Sequence, residues 1–307
     1  MSFLINAQGE IVKIYQGPIG TREVQQDFRT IPSTNEDRLA KALPFHGYAE
    51  STEFRRNYLS YGSVFFQLGY IDQAGASFRQ ALTDDPESAE ALYGIGSVQL
   101  KQGQSAGAQE SFEKATKATA SYPETLPNAW NNLGLLATRE GHMEDAVQYF
   151  QAALKVNPHH VIALVNLGNA YRQLRRWDDA LKVLQQAVSI SPEDSEASYG
   201  LGMVFAQLGD TTRAYELLRK AIDLRPVYPE ALNNLGVLYL RTEHRDQAVA
   251  TFEKCIAVAP DFDQAYLNLA RVHALEKNPE KARAVLLDLL KRHPDHLQAR
   301  RALAELQ

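Results

Sequence analysis

One spacing constrains this chain more than any other. Small residues recur 34 positions apart: Gly62, Gly96, Gly134, Gly168, Gly202, Gly236 and Ala270, with a single interval of 38 between Gly96 and Gly134. Twelve residues after each of these origins stands an alanine (Ala74, Ala108, Ala146, Ala180, Ala214, Ala248, Ala282). Sixteen after stands Phe or Leu (Phe78, Phe112, Phe150, Leu184, Leu218, Phe252, Leu286). Proline closes six of the seven units, at Pro86, Pro158, Pro192, Pro226, Pro260 and Pro294, with Ala120 in its place in the second. Within one unit, Val161–Asp194, the residues Leu164, Leu167 and Tyr171, then Ala180, Leu184 and Ala187, fall at helical intervals. They make one apolar stripe on each of two helices, broken near Arg175–Arg176. Gly168 and Ala180 are the small residues that let the two helices approach.

These seven in-frame copies are similar to a tetratricopeptide repeat array from about Phe54 to the C-terminus. The resemblance implies an all-α fold, a right-handed superhelix (α-solenoid) of seven helix-turn-helix repeats. Their bounds are about 55–88, 89–126, 127–160, 161–194, 195–228, 229–262 and 263–296, followed by a capping helix at 297–307. It also implies that the first helix of each repeat lines a concave groove. The fourteen repeat helices are expected to run about 12–15 residues each. Tyr58, Tyr61 and Phe65 are placed on the packing stripe of the first repeat. The longer interval contains Ser121–Pro127, read as an insertion at a junction that lengthens a loop and leaves helix register intact.

A length of 307 residues ordinarily suggests two domains, but a repeat array grows as one solenoid because each unit contacts its neighbours. The 45% hydrophobic content is ample for a continuous core. A net charge of −5 with both signs interspersed gives no support to nucleic-acid binding. No window approaches a membrane span and the N-terminus lacks a signal-peptide pattern, which leaves the compartment undetermined, with the cytoplasm as the default and an extracytoplasmic place as the alternative. Cys255 is the single cysteine, which excludes an intrachain disulfide. It occupies a position where other repeats carry Ala, and is read as a small buried hydrophobe.

The first 30 residues do not fit the frame. Phe3-Leu4-Ile5 and Ile11–Tyr15 are two β-rich runs that read as a hairpin, with a short helix from Thr21 through Phe28. The run FLINAQGEIVKIYQGPIG resembles the closing hairpin and last helix of thioredoxin-like (redoxin) domains. Cys-x-x-Cys is absent, so thiol exchange is excluded and the segment 1–30 reads as a remnant. Two strands alone are marginal, so the hairpin is expected to dock on the array, join another copy or stay mobile. Residues 31–53 form a connector in which Phe45 and Tyr48 are apolar enough to cover the first repeat.

No catalytic constellation is present: there is no Gly-rich phosphate loop, no Gly-x-Ser-x-Gly elbow and no His-Glu-x-x-His. No cofactor or metal is expected. His159-His160 and His293/His296 sit at junctions, where exposed histidines are expected. Asp84-Asp85, Asp178-Asp179 and Glu193-Asp194 read as helix-start or loop carboxylates. The informative positions lie opposite the packing stripe, since a helix advances about 100° per residue. Two before each origin stand Ser60, Gly94, Asn132, Asn166, Gly200, Asn234 and Asn268. Asparagine is a poor helix former, so four copies at one mid-helix place need a reason.

The pattern resembles the asparagine ladder of O-linked N-acetylglucosamine transferases, where such amides hold the backbone of an extended peptide. The same face carries Asn128, Asn169, Gln173, Gln207 and Gln264, with Arg139, Arg241 and Arg271, and Arg172 at its edge. Leu135, Met203, Val237 and Leu275 add apolar contacts. Guanidinium groups beside amides point to a carboxylate-bearing segment. The lysines of the dicarboxylate clamp of chaperone-binding repeat proteins are not found at matching places. The expected function is a non-enzymatic scaffold that binds an extended, acidic segment of a partner protein. Alternatives are a targeting module of a larger enzyme or redox protein, and self-assembly through the N-terminal hairpin. The competing reading of the asparagines is packing between successive first helices.

Overall fold

The structure, a computed structural model, describes residues 2–5, 11–15 and 57–306. Ahead of the array, strands β1 (Ser2–Ile5) and β2 (Ile11–Tyr15) pair antiparallel. Ser2 faces Tyr15 and Leu4 faces Lys13, and the register slips between Leu4 and Ile5. The segment between the strands, the helix expected at 21–28 and the connector 31–53 lie outside the described residues.

Among the described residues there are fifteen helices, fourteen of them in seven pairs. The pairs are α1 (Tyr58–Gln67) with α2 (Ile71–Asp84), α3 (Ala89–Lys101) with α4 (Ser105–Ala115), and α5 (Thr125–Glu140) with α6 (Met143–Val156). Then come α7 (Val161–Gln173) with α8 (Trp177–Ile190), α9 (Ser195–Leu208) with α10 (Thr211–Leu224), α11 (Pro229–Arg241) with α12 (Arg245–Val258), and α13 (Asp263–Leu275) with α14 (Pro279–Arg292). The last helix is α15 (Leu297–Glu305). The fourteen paired helices spread in length from 10 residues in α1 to 16 in α5, wider than the periodicity suggests. Frayed and capped ends shift boundaries without moving the packing stripe.

The 34-residue frame is a packing device. The residue sixteen after each origin inserts against the origin itself. A methyl group at Gly134 would stand 2.6 Å from Phe150 Cδ1, and one at Gly168 2.7 Å from Leu184 Cδ2. Phe112, Phe150 and Phe252 are thereby buried to within 1% of completely, each worth about 1.5–3 kcal/mol of apolar burial. The alanines twelve after the origins are all fully buried. A further alanine series five before the origins (Ala91, Ala129, Ala163, Ala197, Ala231, Ala265) is equally enclosed, and Ala299 of α15 continues it. Helix α15 therefore stands in the register of an eighth first helix. Gln298, Arg301 and Glu305 are exposed on it.

Seven residues after each origin the backbone turns left-handed to start the second helix. Gly69, Gly103, Gly141 and Gly209 hold that place with φ of 76–87°, and Arg175, Glu243 and Lys277 hold it with φ of 56–61°. Glycine is the residue suited to it, so the three charged side chains sit there under strain.

Two expectations fail here. Tyr61 is 43% exposed, because α1 begins the described array and this side of it meets no preceding pair among the described residues. Asp84 ends α2, where the helix dipole disfavours a carboxylate, while Asp85 lies in the loop beyond it and Asp194 caps its helix by accepting from Ala197 N–H (2.7 Å). Cys255 is fully buried, and that burial pushes its thiol up to about 11.

Candidate binding groove

Successive first helices touch one another directly, from α1 through α3, α5, α7, α9 and α11 to α13, and so form one wall. Asn132, Asn166, Asn234 and Asn268 all lie half-buried in it. Three of the four amides reach sideways. Asn166 Nδ2 donates to Asn131 Oδ1 (2.9 Å), Asn234 Nδ2 to the Tyr199 hydroxyl (2.7 Å) and Asn268 Nδ2 to Asn233 Oδ1 (2.8 Å). In each pair the acceptor stands three before the origin of the preceding repeat. These struts explain why a poor helix former is kept mid-helix: Asn131 and Asn233 are 4% and 7% exposed, and a buried amide needs a partner. Each asparagine keeps a second N–H and its own carbonyl. Asn268 Oδ1 accepts weakly from Gln264 Nε2 at 3.3 Å.

Other residues of the proposed face are also committed. Asn128 Oδ1 meets His160 Nε2 at 3.0 Å. Asn169 Oδ1 accepts from Arg172 Nη1 (2.8 Å), and the Arg172 guanidinium lies 5.6 Å from the Tyr199 ring centre. Burial raises the Tyr199 phenol above its ordinary pKa, although Arg172 and Asn234 both pull it down. By contrast Arg139, Arg241, Arg271, Gln173 and Gln207 are exposed, and among the described residues the three arginines make no ion pair. Leu135 and Leu275 are 39% and 50% exposed on the same wall, and Met203 and Val237 are half-buried.

A second set of cross-repeat bonds, unanticipated from sequence, runs along the N-terminal ends of the first helices. Tyr228 donates its hydroxyl to Glu196 Oε2 (2.7 Å) while Arg225 Nη1 donates to Glu196 Oε1 (2.7 Å). Burial and the Glu196 carboxylate together raise the Tyr228 phenol far above its ordinary value. Glu90 Oε1 accepts from Ser121 N–H (2.7 Å), Tyr122 N–H (2.9 Å) and the Thr125 hydroxyl (3.1 Å). The longer junction loop is therefore pinned to α3, and it leaves Tyr122 62% exposed. His160, expected on the surface, is 6% exposed. Its ring caps α7 by accepting from Ala163 N–H at 3.1 Å, so the junction folds over it; His159 stays outside.

Sequence comparison accords with this architecture. A family model described as the cilia and flagella-associated protein 70 C-terminal domain matches residues 48–227, more than half of the chain. A tetratricopeptide repeat model matches residues 205–254 and 243–306. The chain belongs to this family of tetratricopeptide repeat proteins. Among curated relatives, a probable UDP-N-acetylglucosamine–peptide N-acetylglucosaminyltransferase SPINDLY of Hordeum vulgare is 32% identical over 108 residues, 34% of this chain and 11% of that protein. A CTR9 homolog of Arabidopsis thaliana is 32% identical over 133 residues, 42% of this chain and 12% of that protein. The repeat protein thus spans about a tenth of the length of these relatives. Among solved structures, the APC/C hetero-tetramer Cut9-Hcn1 matches with a TM-score of 0.66 at 19% identity, over 92% of this chain and 55% of that one. A tetratricopeptide repeat protein of Parabacteroides merdae matches with a TM-score of 0.59 at 18% identity, over 81% and 97%. At these identities the likeness concerns the fold, a helical solenoid.

Proposed function

We propose that the repeat protein is a non-enzymatic scaffold whose seven repeats, divided near 55, 89, 127, 161, 195, 229 and 263, hold an extended carboxylate-bearing segment of a partner along the first-helix wall. Arg139, Arg241 and Arg271 pair with carboxylates. Gln173 and Gln207 read peptide units, since an amide both donates and accepts. Asn166, Asn234 and Asn268 hold the wall in shape and lend it their remaining donors and acceptors, and Asn132 offers its whole amide. One observation carries this reading: three exposed guanidinium groups on one wall, without an ion-pair partner among the described residues, beside the exposed Leu135 and Leu275. A guanidinium in that state offers a two-pronged fit to carboxylate at little desolvation cost.

The test is binding of a fluorescent Glu- and Leu-containing peptide, with a Lys- and Leu-containing counterpart as control. Changing Arg139, Arg241 and Arg271 together to Ala should weaken the acidic peptide at least roughly tenfold and leave thermal unfolding unchanged. Equal binding of the two peptides, or an indifferent triple variant, sinks the reading. A second reading draws on the barley relative, in which such repeats belong to a glycosyltransferase. There the same wall would present substrate proteins to an enzyme.

A further inference from the structure

We propose that the joint between the third and fourth repeats is an acid-sensitive clasp built on His160. Two bonds fix its tautomer. Nδ1 accepts from Ala163 N–H (3.1 Å), capping α7, so that nitrogen carries a lone pair; Nε2 then carries the proton and donates to Asn128 Oδ1 (3.0 Å), across to α5. The neutral ring alone satisfies both. A second proton has to go to Nδ1, where it faces the Ala163 N–H head on, and the cap is lost.

The surroundings do little to welcome a charge. The turn leading into α5 brings Glu124, whose Oε2 is 3.8 Å from Nε2 but whose side chain is 56% exposed. One oxygen of that carboxylate is already engaged by Asn157 Nδ2 (2.9 Å), from the turn after α6. From α8 comes the neutral Gln186, bonded to the Pro158 carbonyl (3.0 Å). Among the described residues Glu124 is the one charged group within ion-pair distance of His160. Burial keeps the imidazole below its ordinary pKa, and Glu124 only partly reverses this.

The same joint carries the Asn166–Asn131 strut, one turn further along α7. Opening the first turn of α7 frees Asn128 and loosens the wall between α5 and α7. Loss of groove affinity at low pH would follow, and that consequence rests on the function proposed above.

The test needs no ligand. Amide hydrogen exchange is followed on the full chain between about pH 7.5 and 5, where an ordinary histidine titrates, and is corrected for intrinsic rates. The parent is compared with His160→Asn, because asparagine caps helices well and does not titrate. In the parent, protection of the Ala163 amide should fall by roughly fivefold or more as pH drops, the equivalent of a lost cap. In His160→Asn it should stay level. Parallel profiles in the two proteins, or an unchanged parent, would overturn the proposal.

Discussion

Adding one methyl group at Gly134 tests the packing device on which the array is built. A Cβ there stands 2.6 Å from Phe150 Cδ1 and 2.8 Å from Cζ. Carbon atoms settle at about 3.5–4.0 Å, so the ring has to retreat by about 1 Å. Phe150 is 1% exposed and has no open space to enter. Overpacking of this kind costs about 1–3 kcal/mol, while Gly→Ala within a helix returns up to about 1 kcal/mol. The net expectation for Gly134→Ala is a loss of about 1–2 kcal/mol, a few degrees in Tm for an array of this size. Gly168→Ala is the matched comparison, since its Cβ would press on Leu184 Cγ and meet Cδ2 and Cδ1 at 2.7 and 2.9 Å. The seventh repeat shows how that contact resolves. Ala270 stands at its origin with Leu286 sixteen residues on, both at most 5% exposed. A branched aliphatic chain can rotate beside a methyl group where a flat ring cannot, so Gly168→Ala should lie within about 1 kcal/mol of the parent. Urea unfolding followed by circular dichroism measures both, with equal m-values required before the midpoints are compared. If Gly134→Ala proves as stable as Gly168→Ala, the account of the origin glycines as seats for the sixteenth residue is wrong.

Two further outcomes follow from single residues. Lys277 holds a left-handed turn with φ of 56° that four other repeats give to glycine, so Lys277→Gly should stabilise the chain by about 0.5–1 kcal/mol; an unchanged or lower Tm would show that the strain is absent. Glu90→Gln should loosen the loop before α5, seen as faster exchange of the Ser121 and Tyr122 amides while α7 is unaffected. Burial opposes ionisation of Glu90, but the N–H groups of Tyr122, Glu90 and Ser121 and the Thr125 hydroxyl outweigh it and hold the carboxyl below its ordinary value. Its contribution is therefore present above the ordinary carboxylate range and is lost as pH falls through the lowered value; an acid-independent loop would contradict this.

Much of this molecule can be read from its sequence because one physical requirement repeats. Origin, alanine and sixteenth residue are each dictated by the same helix-helix contact, so their spacing is visible without coordinates. The left-handed position seven after the origin is as regular but is hidden in the sequence, because Arg175, Glu243 and Lys277 interrupt the glycine series. The burial of His160 is hidden for a different reason. A residue beside Pro158 at a junction looks solvated until the fold brings Asn128, 32 residues away in the chain, over its ring.

The asparagines are the harder case, and the structure supplies the missing rule. Their acceptors lie three before the preceding origin, a position with no consensus: Leu59, Tyr93, Asn131, Val165, Tyr199, Asn233 and Leu267. Read in pairs across a joint, order returns. Where that residue is Tyr or Asn, the next repeat offers Asn132, Asn166, Asn234 or Asn268; where it is Leu or Val, the next repeat offers Gly94, Gly200 or Ala302. The pairing follows from cost, since an amide set against Leu or Val would lose its partner at about 1–3 kcal/mol. Space acts in the same direction, because a Cβ at Gly94 would stand 2.6 Å from Phe78 and one at Gly200 3.1 Å from Leu184. Three rungs of the ladder, Asn166, Asn234 and Asn268, are thus accounted for by neighbouring helices before any ligand is invoked. On the reading proposed above, the arginines that no joint dictates, Arg139, Arg241 and Arg271, with the exposed Gln173 and Gln207, are what remains for recognition.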